Sequence, residues 1–344
     1  MAQAFTAGRD ESFIVRAHGG GGEMMGRLIR EHIVAALGNR TLNELTDGAV
    51  VPCDSARLVI TTDSYVVQPL EFPGGDIGRL AVCGTVNDLA VMGGKPIGLS
   101  LGLIVEEGFS LERLDRILAS VAAAAKEADV EVVTGDTKVI EHSSDDGLYV
   151  NTSGVAALDD SVNVGFSHIE PGDALIVNGT LGDHGMAIMS VRNGLEFETV
   201  IRSDAAPLNG LIQDVLSAGV NVRFMRDATR GGVAGVLADI SQETRLGVEI
   251  HEERIPVNPS VRAAAEMLGF DLLSVANEGK MILVIPGDQS EKCLQVMRRH
   301  PHGKQAAIIG HTYDVDPPLV EMVTRTGGRR VVQRPYGEEL PRIC

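Results

Sequence analysis

The sequence predicts an α/β protein made of two consecutive α/β domains, and three observations lead there. The chain has 344 residues, which at roughly 150 residues per domain suggests two. From residue 56 onward, strand-like alternation takes turns with helical periodicity, the pattern of layered α/β units. The junction "FSHIEPGDALIVNG" separates an earlier run of such elements from a later one. The boundary is placed near residue 160, giving an N-terminal domain 1–160, a C-terminal domain 161–325 and a mobile tail 326–344.

Each element follows from its local pattern. "ARLVITTDSYVV" is rich in β-branched residues and reads as a strand. "DIGRLAVCGTVNDLAVMGG" carries apolar residues at helical spacing and stops on glycines. "PIGLSLGLIV" is a strand, "SLERLDRILASVAAAAKEA" an amphipathic helix, and "VEVVTGDTKVI" and "LYVNTSGVAAL" are strands. After the junction, helices are expected near 182–192, 207–218, 231–245, 257–268 and 288–299, with strands near 281–285 and 305–310. Beyond about residue 324 the chain is polar and turn-rich, and reads as an extension outside the core.

Composition narrows the function. Hydrophobic residues make up 44% and charged residues 22%, ordinary for a globular protein with a large core. The net charge is 30 − 47 = −17, which disfavours nucleic acid and anionic membrane, since both are bound through basic surfaces. Cys53, Cys83, Cys293 and Cys344 include no C-x-x-C pair, so no zinc or iron–sulfur site is expected. No run of about 18 apolar residues and no secretory h-region occur, and a cytoplasmic location is expected.

Several positions carry chemistry. In "HGGGGE", Gly19, Gly20, Gly21 and Gly22 offer bare backbone N–H groups that can wrap a phosphate; a flexible linker is the plain alternative. Asp47, Asp63, Asp88, Asp136 and Asp227 fall at strand ends or in turns. Asp63 interrupts a strand and Asp88 an apolar helical stripe, and a lone buried carboxylate costs several kcal/mol without a cation or strong donors. One such aspartate is more often a cap or turn residue; five together favour a metal–nucleotide site. "DATRGG" sets Arg230, Gly231 and Gly232 at a helix start, where an anion is favoured. Lys138 lies two residues after Asp136, on the same strand face, and can clamp a phosphate or act as a base. Glu278 in "NEGK" is a further metal or general-base carboxylate, or a plain turn residue. The chain ends on "PRIC", with a thiol at Cys344.

Taken together, "AHGGGGE", "DGAVV", "TTDSYVV", "CGTVNDLAVMGGKP", "TGDTKV", "NGTLGDHGMAI", "RDATRGGVAG", "NEGK" and "PRIC" resemble the ATP-dependent superfamily of aminoimidazole ribonucleotide synthetase, selenophosphate synthetase and thiamin-monophosphate kinase. Within it they are most similar to the HypE family of carbamoyl dehydratases in [NiFe]-hydrogenase maturation. The resemblance implies that HypF loads Cys344 with a carbamoyl group and that ATP drives its dehydration to a thiocyanate, the source of cyanide for the hydrogenase iron through HypC–HypD. It implies that Asp63, Asp88, Asp136 and Asp227 hold Mg2+–ATP; Asp47 is a further candidate for the nucleotide contacts. The glycine run, Arg230, Gly231 and Gly232 would cradle phosphates, with Lys138 and Glu278 assisting proton removal. It also implies a homodimer whose N-terminal sheets pair into a barrel, with ATP near the interface. Two rivals are a small-molecule phosphotransferase or ligase of the same superfamily and a non-catalytic scaffold that senses nucleotide.

Overall fold

The computed structural model describes residues 13–15, 27–39, 43, 57–142, 147–195, 200–229, 231–333 and 343. The N-terminal unit runs through β1 (Arg57–Tyr65), the short hairpin β2 (Glu71–Phe72) and β3 (Gly75–Asp76), α1 (Ile77–Val91), β4 (Lys95–Glu106), α2 (Leu111–Glu127), β5 (Val132–Ile140) and β6 (Leu148–Leu158). The four long strands form one sheet in the order β1-β6-β4-β5. Its neighbours are antiparallel except β4 and β5, whose parallel pairing requires the α2 crossover between them.

Period two in β1 sorts its side chains cleanly. Val59, Thr61, Asp63 and Tyr65 turn toward the helices, and Leu58, Ile60, Thr62 and Ser64 turn away. That second face has no covering element among the described residues, and Ile60 is 71% exposed there. Helix α1 starts at Asp76, whose carboxylate accepts from the Arg79 N–H at 2.9 Å, an N-cap that satisfies one otherwise orphaned donor. It is buried nearly all round because it lies between its own sheet and the second unit. Helix α2 instead buries one stripe, Leu114, Ile117, Leu118, Val121, Ala124 and Ala125, the spacing of a surface helix.

The C-terminal unit comprises β7 (Ala174–Val177), α3 (Asp183–Arg192), α4 (Asn209–Ser217), β8 (Phe224–Asp227), α5 (Gly232–Thr244), β9 (Gly247–His251), α6 (Pro259–Leu268), β10 (Met281–Ile285), α7 (Ser290–Met297), β11 (Ala307–Tyr313), β12 (Val320–Val323) and β13 (Arg329–Val331). Seven strands form a sheet in the order β13-β12-β9-β11-β7-β10-β8. Val233, Leu237 and Ile240 of α5 pack with one face of it, and Leu211, Ile212 and Met297 of α4 and α7 with the other. The core of the N-terminal unit continues into the second: Leu80 and Ile117 share a cluster with Met186 and Ile188 of α3, Ala264 of α6, and Ile343.

The expected helices at 182–192, 207–218, 231–245, 257–268 and 288–299 are all present. Strands β8, β9 and β12 were not expected, since each has only four or five residues and carries charges. The tail expected from residue 326 needs correction. Arg329–Val331 pairs antiparallel with β12 as an edge strand, a position that tolerates exposed, charged residues, and Ile343 is buried. No helix among the described residues is long and apolar enough to cross a membrane.

Candidate functional site

Three carboxylates meet where α1 faces the second unit. Asp63 projects from the helix-covered face of β1, Asp88 from the last turn of α1, and Asp227 from the end of β8. Thr61, two residues before Asp63 and on the same face, donates its hydroxyl to Asp88 Oδ2 at 3.0 Å. Tyr65 donates to Asp63 Oδ2 at 3.4 Å. Burial, then the nearby charges of Asp63 and Asp88 and of Glu278, push the Tyr65 phenol well above its ordinary range, so it stays a donor. Its hydroxyl fits because position 84 is glycine: a Cβ there would lie 2.2 Å from the Tyr65 oxygen.

The Asp88 carboxyl is pushed up to about 7, by burial first and then by the charges of Asp227 and Asp63. Like charges held together in a half-buried place raise each other's proton affinity unless a cation joins them. Oxygen donors of this type, clustered and mutually repelling, fit a hard divalent ion such as Mg2+. Asp63, Asp88 and Asp227 are the residues that would hold it, and its charge would offset that of a polyphosphate.

Glu278 stands beside this cluster on a rigid turn. Asn277, Glu278 and Lys280 are all buried. The Asn277 amide donates to the Ala228 and Val275 carbonyls, and its oxygen accepts from the Gly182 N–H. Lys280 Nζ donates to Asp204 Oδ2 at 2.7 Å, and Asp204 Oδ1 accepts from the Glu278 N–H at 3.1 Å. Gly279 lets the turn press against the Asp204 carbonyl, since a Cβ would lie 2.0 Å from that oxygen.

Asp136 and Lys138 lie elsewhere. Asp136 pairs with Gly102, and Gly102 with Asn151, across β5, β4 and β6; that row belongs to the open face with Ser64. The two form an ion pair at 3.7 Å, each about two-thirds exposed. Within one chain they therefore occupy the opposite face of the sheet from Asp63. Gly231 and Gly232 start α5 with φ of 76° and 58°. At Gly232 a Cβ would lie 2.5 Å from the Leu273 carbonyl oxygen, and the nearby Ala234 N–H donates to that same oxygen. This helix start thus packs tightly on residues 273–275. Gly19, Gly20, Gly21, Gly22, Asp47, Arg230 and Cys344 lie outside the described residues.

Sequence reasoning missed Tyr65, Asn87 and His184. Tyr65 was legible as a same-face neighbour of Asp63; the other two act through distant partners. A separate group, Glu249, His251 and His311, brings ligand atoms within 4.8 Å of one another. There Glu249 is already bound by His251 at 3.2 Å and Arg329 at 2.8 Å, a salt-bridged patch of sheet surface.

Residues 45–158 match the family described as AIR synthase related protein, N-terminal domain, and residues 170–318 match its C-terminal domain. Over 329 residues, covering 95% of this chain and 94% of the relative, the sequence is 47% identical to the carbamoyl dehydratase HypE of Rhizobium leguminosarum bv. viciae. The fold is similar to a solved hydrogenase maturation protein HypE in complex with ATP, with a TM-score of 0.92 and 39% identity over 96% of this chain and 99% of that one. A chain of a solved HypE–HypF complex matches with a TM-score of 0.78 and 47% identity, covering 90% of this chain and 99% of that one.

Proposed function

This chain belongs to the AIR synthase related family, in its branch of HypE carbamoyl dehydratases, and from that premise we propose how its residues divide the work. It is an ATP-dependent carbamoyl dehydratase of hydrogenase maturation. The carbamoyl group rides on the Cys344 sulfur. Its oxygen attacks the γ-phosphorus of ATP and ADP leaves; the carbon–oxygen bond then breaks with phosphate as the leaving group. The nitrogen gives up its two protons, and S–C≡N remains. An amide oxygen is a poor leaving group, and phosphorylation turns it into a good one.

The observation that carries this reading is the meeting of Asp63 and Asp88 from one unit with Asp227 from the other, beside the buried Glu278. Such a cluster binds the Mg2+ that a triphosphate requires in a chain of charge −17. Glu278 serves the nitrogen protons. Asp136 and Lys138 serve through the open sheet face: a homodimer pairing these faces buries Leu58, Ile60 and Ile104 and brings both residues to the interface near which ATP lies. The glycines Gly19, Gly20, Gly21 and Gly22, with Asp47, Arg230, Gly231 and Gly232, complete the nucleotide contacts. HypF supplies the carbamoyl group, in line with the likeness to a chain of a HypE–HypF complex, and HypC–HypD accepts cyanide, all in the cytoplasm.

Intact-mass spectrometry after incubation with HypF, carbamoyl phosphate and MgATP tests the reading. The mass should rise by one carbamoyl group and then fall by one water. Product from a Cys344→Ala chain would overturn it.

A further inference from the structure

His184 occupies the first turn of α3 and is wholly buried. Its Nε2 lies 2.7 Å from the Ile343 carbonyl oxygen, and its Nδ1 lies 2.8 Å from Ser203 Oγ. The Ser203 oxygen already accepts from the Ala205 N–H at 3.1 Å. One arrangement of protons satisfies all three contacts: Ala205 N–H donates to Ser203 Oγ, the Ser203 hydroxyl donates to Nδ1, and Nε2–H donates to the Ile343 carbonyl. Burial, the first of several influences, draws the imidazole toward its neutral form, which has the one donor and one acceptor this chain of bonds needs. The Ile343 side chain is itself buried, in the cluster that includes Phe72, Met186 and Ala205, and Phe72 meets the His184 ring edge-on at 5.5 Å between centroids.

The segment that orients His184 also fixes the turn of Glu278. Ser203 holds the imidazole, while the adjacent Asp204 accepts from the Glu278 N–H and from Lys280. Two consecutive residues, Ser203 and Asp204, therefore tie the seat of Ile343 to the Glu278 turn. Cys344 is bonded directly to the carbonyl carbon whose oxygen His184 grips.

We propose that His184 is a positioning residue for the carrier thiol: by gripping the Ile343 carbonyl it holds the end of the chain in a docked state beside the Glu278 turn. This rests on the reading that Cys344 carries the reacting group. The chemistry recognised is a backbone carbonyl followed by an S-carbamoyl cysteine, presented by an isoleucine anchor. Ser203 and Asp204 keep the donor and the turn in register.

The test is alkylation of Cys344 in the full-length chain with MgATP present, followed by peptide-resolved mass spectrometry, together with single-turnover dehydration of HypF-carbamoylated protein. His184→Phe keeps a ring and loses the donor. Labelling of Cys344 should quicken about five-fold and single-turnover conversion should fall by a similar factor, the equivalent of about 1 kcal/mol for one hydrogen bond at 1.4 kcal/mol per tenfold. MgATP affinity should not move. His184→Gln, which can again donate at the Nε2 position, should restore both rates; loss of packing alone would not be rescued in this way. A folded His184→Phe chain with wild-type labelling and conversion overturns the proposal. Should that variant not fold, Ile343→Gly removes the anchor at the chain end, and unchanged labelling there overturns it equally. Labelling uses no carbamoyl chemistry, so an inert wild-type chain with a His184-dependent thiol would remove the proposed function and leave the anchor standing.

Discussion

Asn87 and Glu278 stand 191 positions apart in sequence, and the Asn87 side-chain amide donates to the Glu278 carbonyl oxygen at 3.1 Å. The same amide donates to the Ala206 carbonyl at 3.1 Å, and its oxygen accepts from the Leu208 N–H at 2.7 Å. One buried side chain of the N-terminal unit thus clamps both the 203–208 segment and the Glu278 turn. Its neighbour Asp88 enters the carboxylate cluster.

Replacing Asn87 by Ala strands two carbonyls and one N–H in a dry place, each worth about 1–3 kcal/mol. We expect a loss of about 3 kcal/mol in chemical denaturation, with weaker nucleotide binding because the turn loosens. A midpoint shift equivalent to less than about 1 kcal/mol would count against the clamp.

Calorimetry with ATP should show binding that needs Mg2+ and fades with EDTA. Asp88→Asn and Asp227→Asn should each weaken it about tenfold or more, given that even outer-sphere partners of a metal cost 10–100-fold when lost. Undiminished affinity in both variants would remove the metal from this cluster.

The open face of the N-terminal sheet should be a dimer interface. Ile60→Glu places a charge on its most exposed apolar residue and should turn a dimer into a monomer by light scattering. Lys138→Ala should then slow dehydration much more than it weakens MgATP binding, and wild-type conversion by that variant would return Lys138 to a surface role.

Asp204 makes stability depend on acid in a defined direction. Burial alone would raise its pKa, but the Lys280 ammonium and the hydrogen bonds from Lys280 and the Glu278 N–H reverse this, and the folded value lies below the ordinary one. The pair's contribution is therefore full above the unfolded value of about 3.9 and is lost as pH falls through the folded pKa. Asp204→Asn leaves the Lys280 charge buried without its partner, a cost of about 3–5 kcal/mol at neutral pH. The gap in melting temperature between wild type and Asp204→Asn should be constant above pH 4–5 and narrow below it; a gap that widened in acid would contradict the pairing.

Much of this was legible in the sequence, and the remainder was hidden for physical reasons. Alternation in "RLVITTDSY" places Asp63 and Tyr65 on one face, and a charge inside the apolar stripe of "VNDLAV" marks Asp88. Period two also pairs Asp136 with Lys138, yet it says nothing about which face of the sheet is covered. That depends on where α1 packs. Asn87 and His184 are invisible to local pattern because their partners, the carbonyls of residues 278 and 343, are non-local. The edge strand at Arg329–Val331 escaped because its residues are charged or exposed, and an edge needs no apolar run.

The division of the carboxylate cluster between two units has a consequence for how the protein is made. Asp88 precedes Asp227 by 227 − 88 = 139 residues, about ten seconds of ribosomal synthesis. During that interval the emerging N-terminal unit carries only its own acids, with no third carboxylate and no Glu278 turn. On the proposed function, a chain that ends before Asp227 lacks part of the MgATP site, so tight nucleotide capture would report that both halves have been completed and joined.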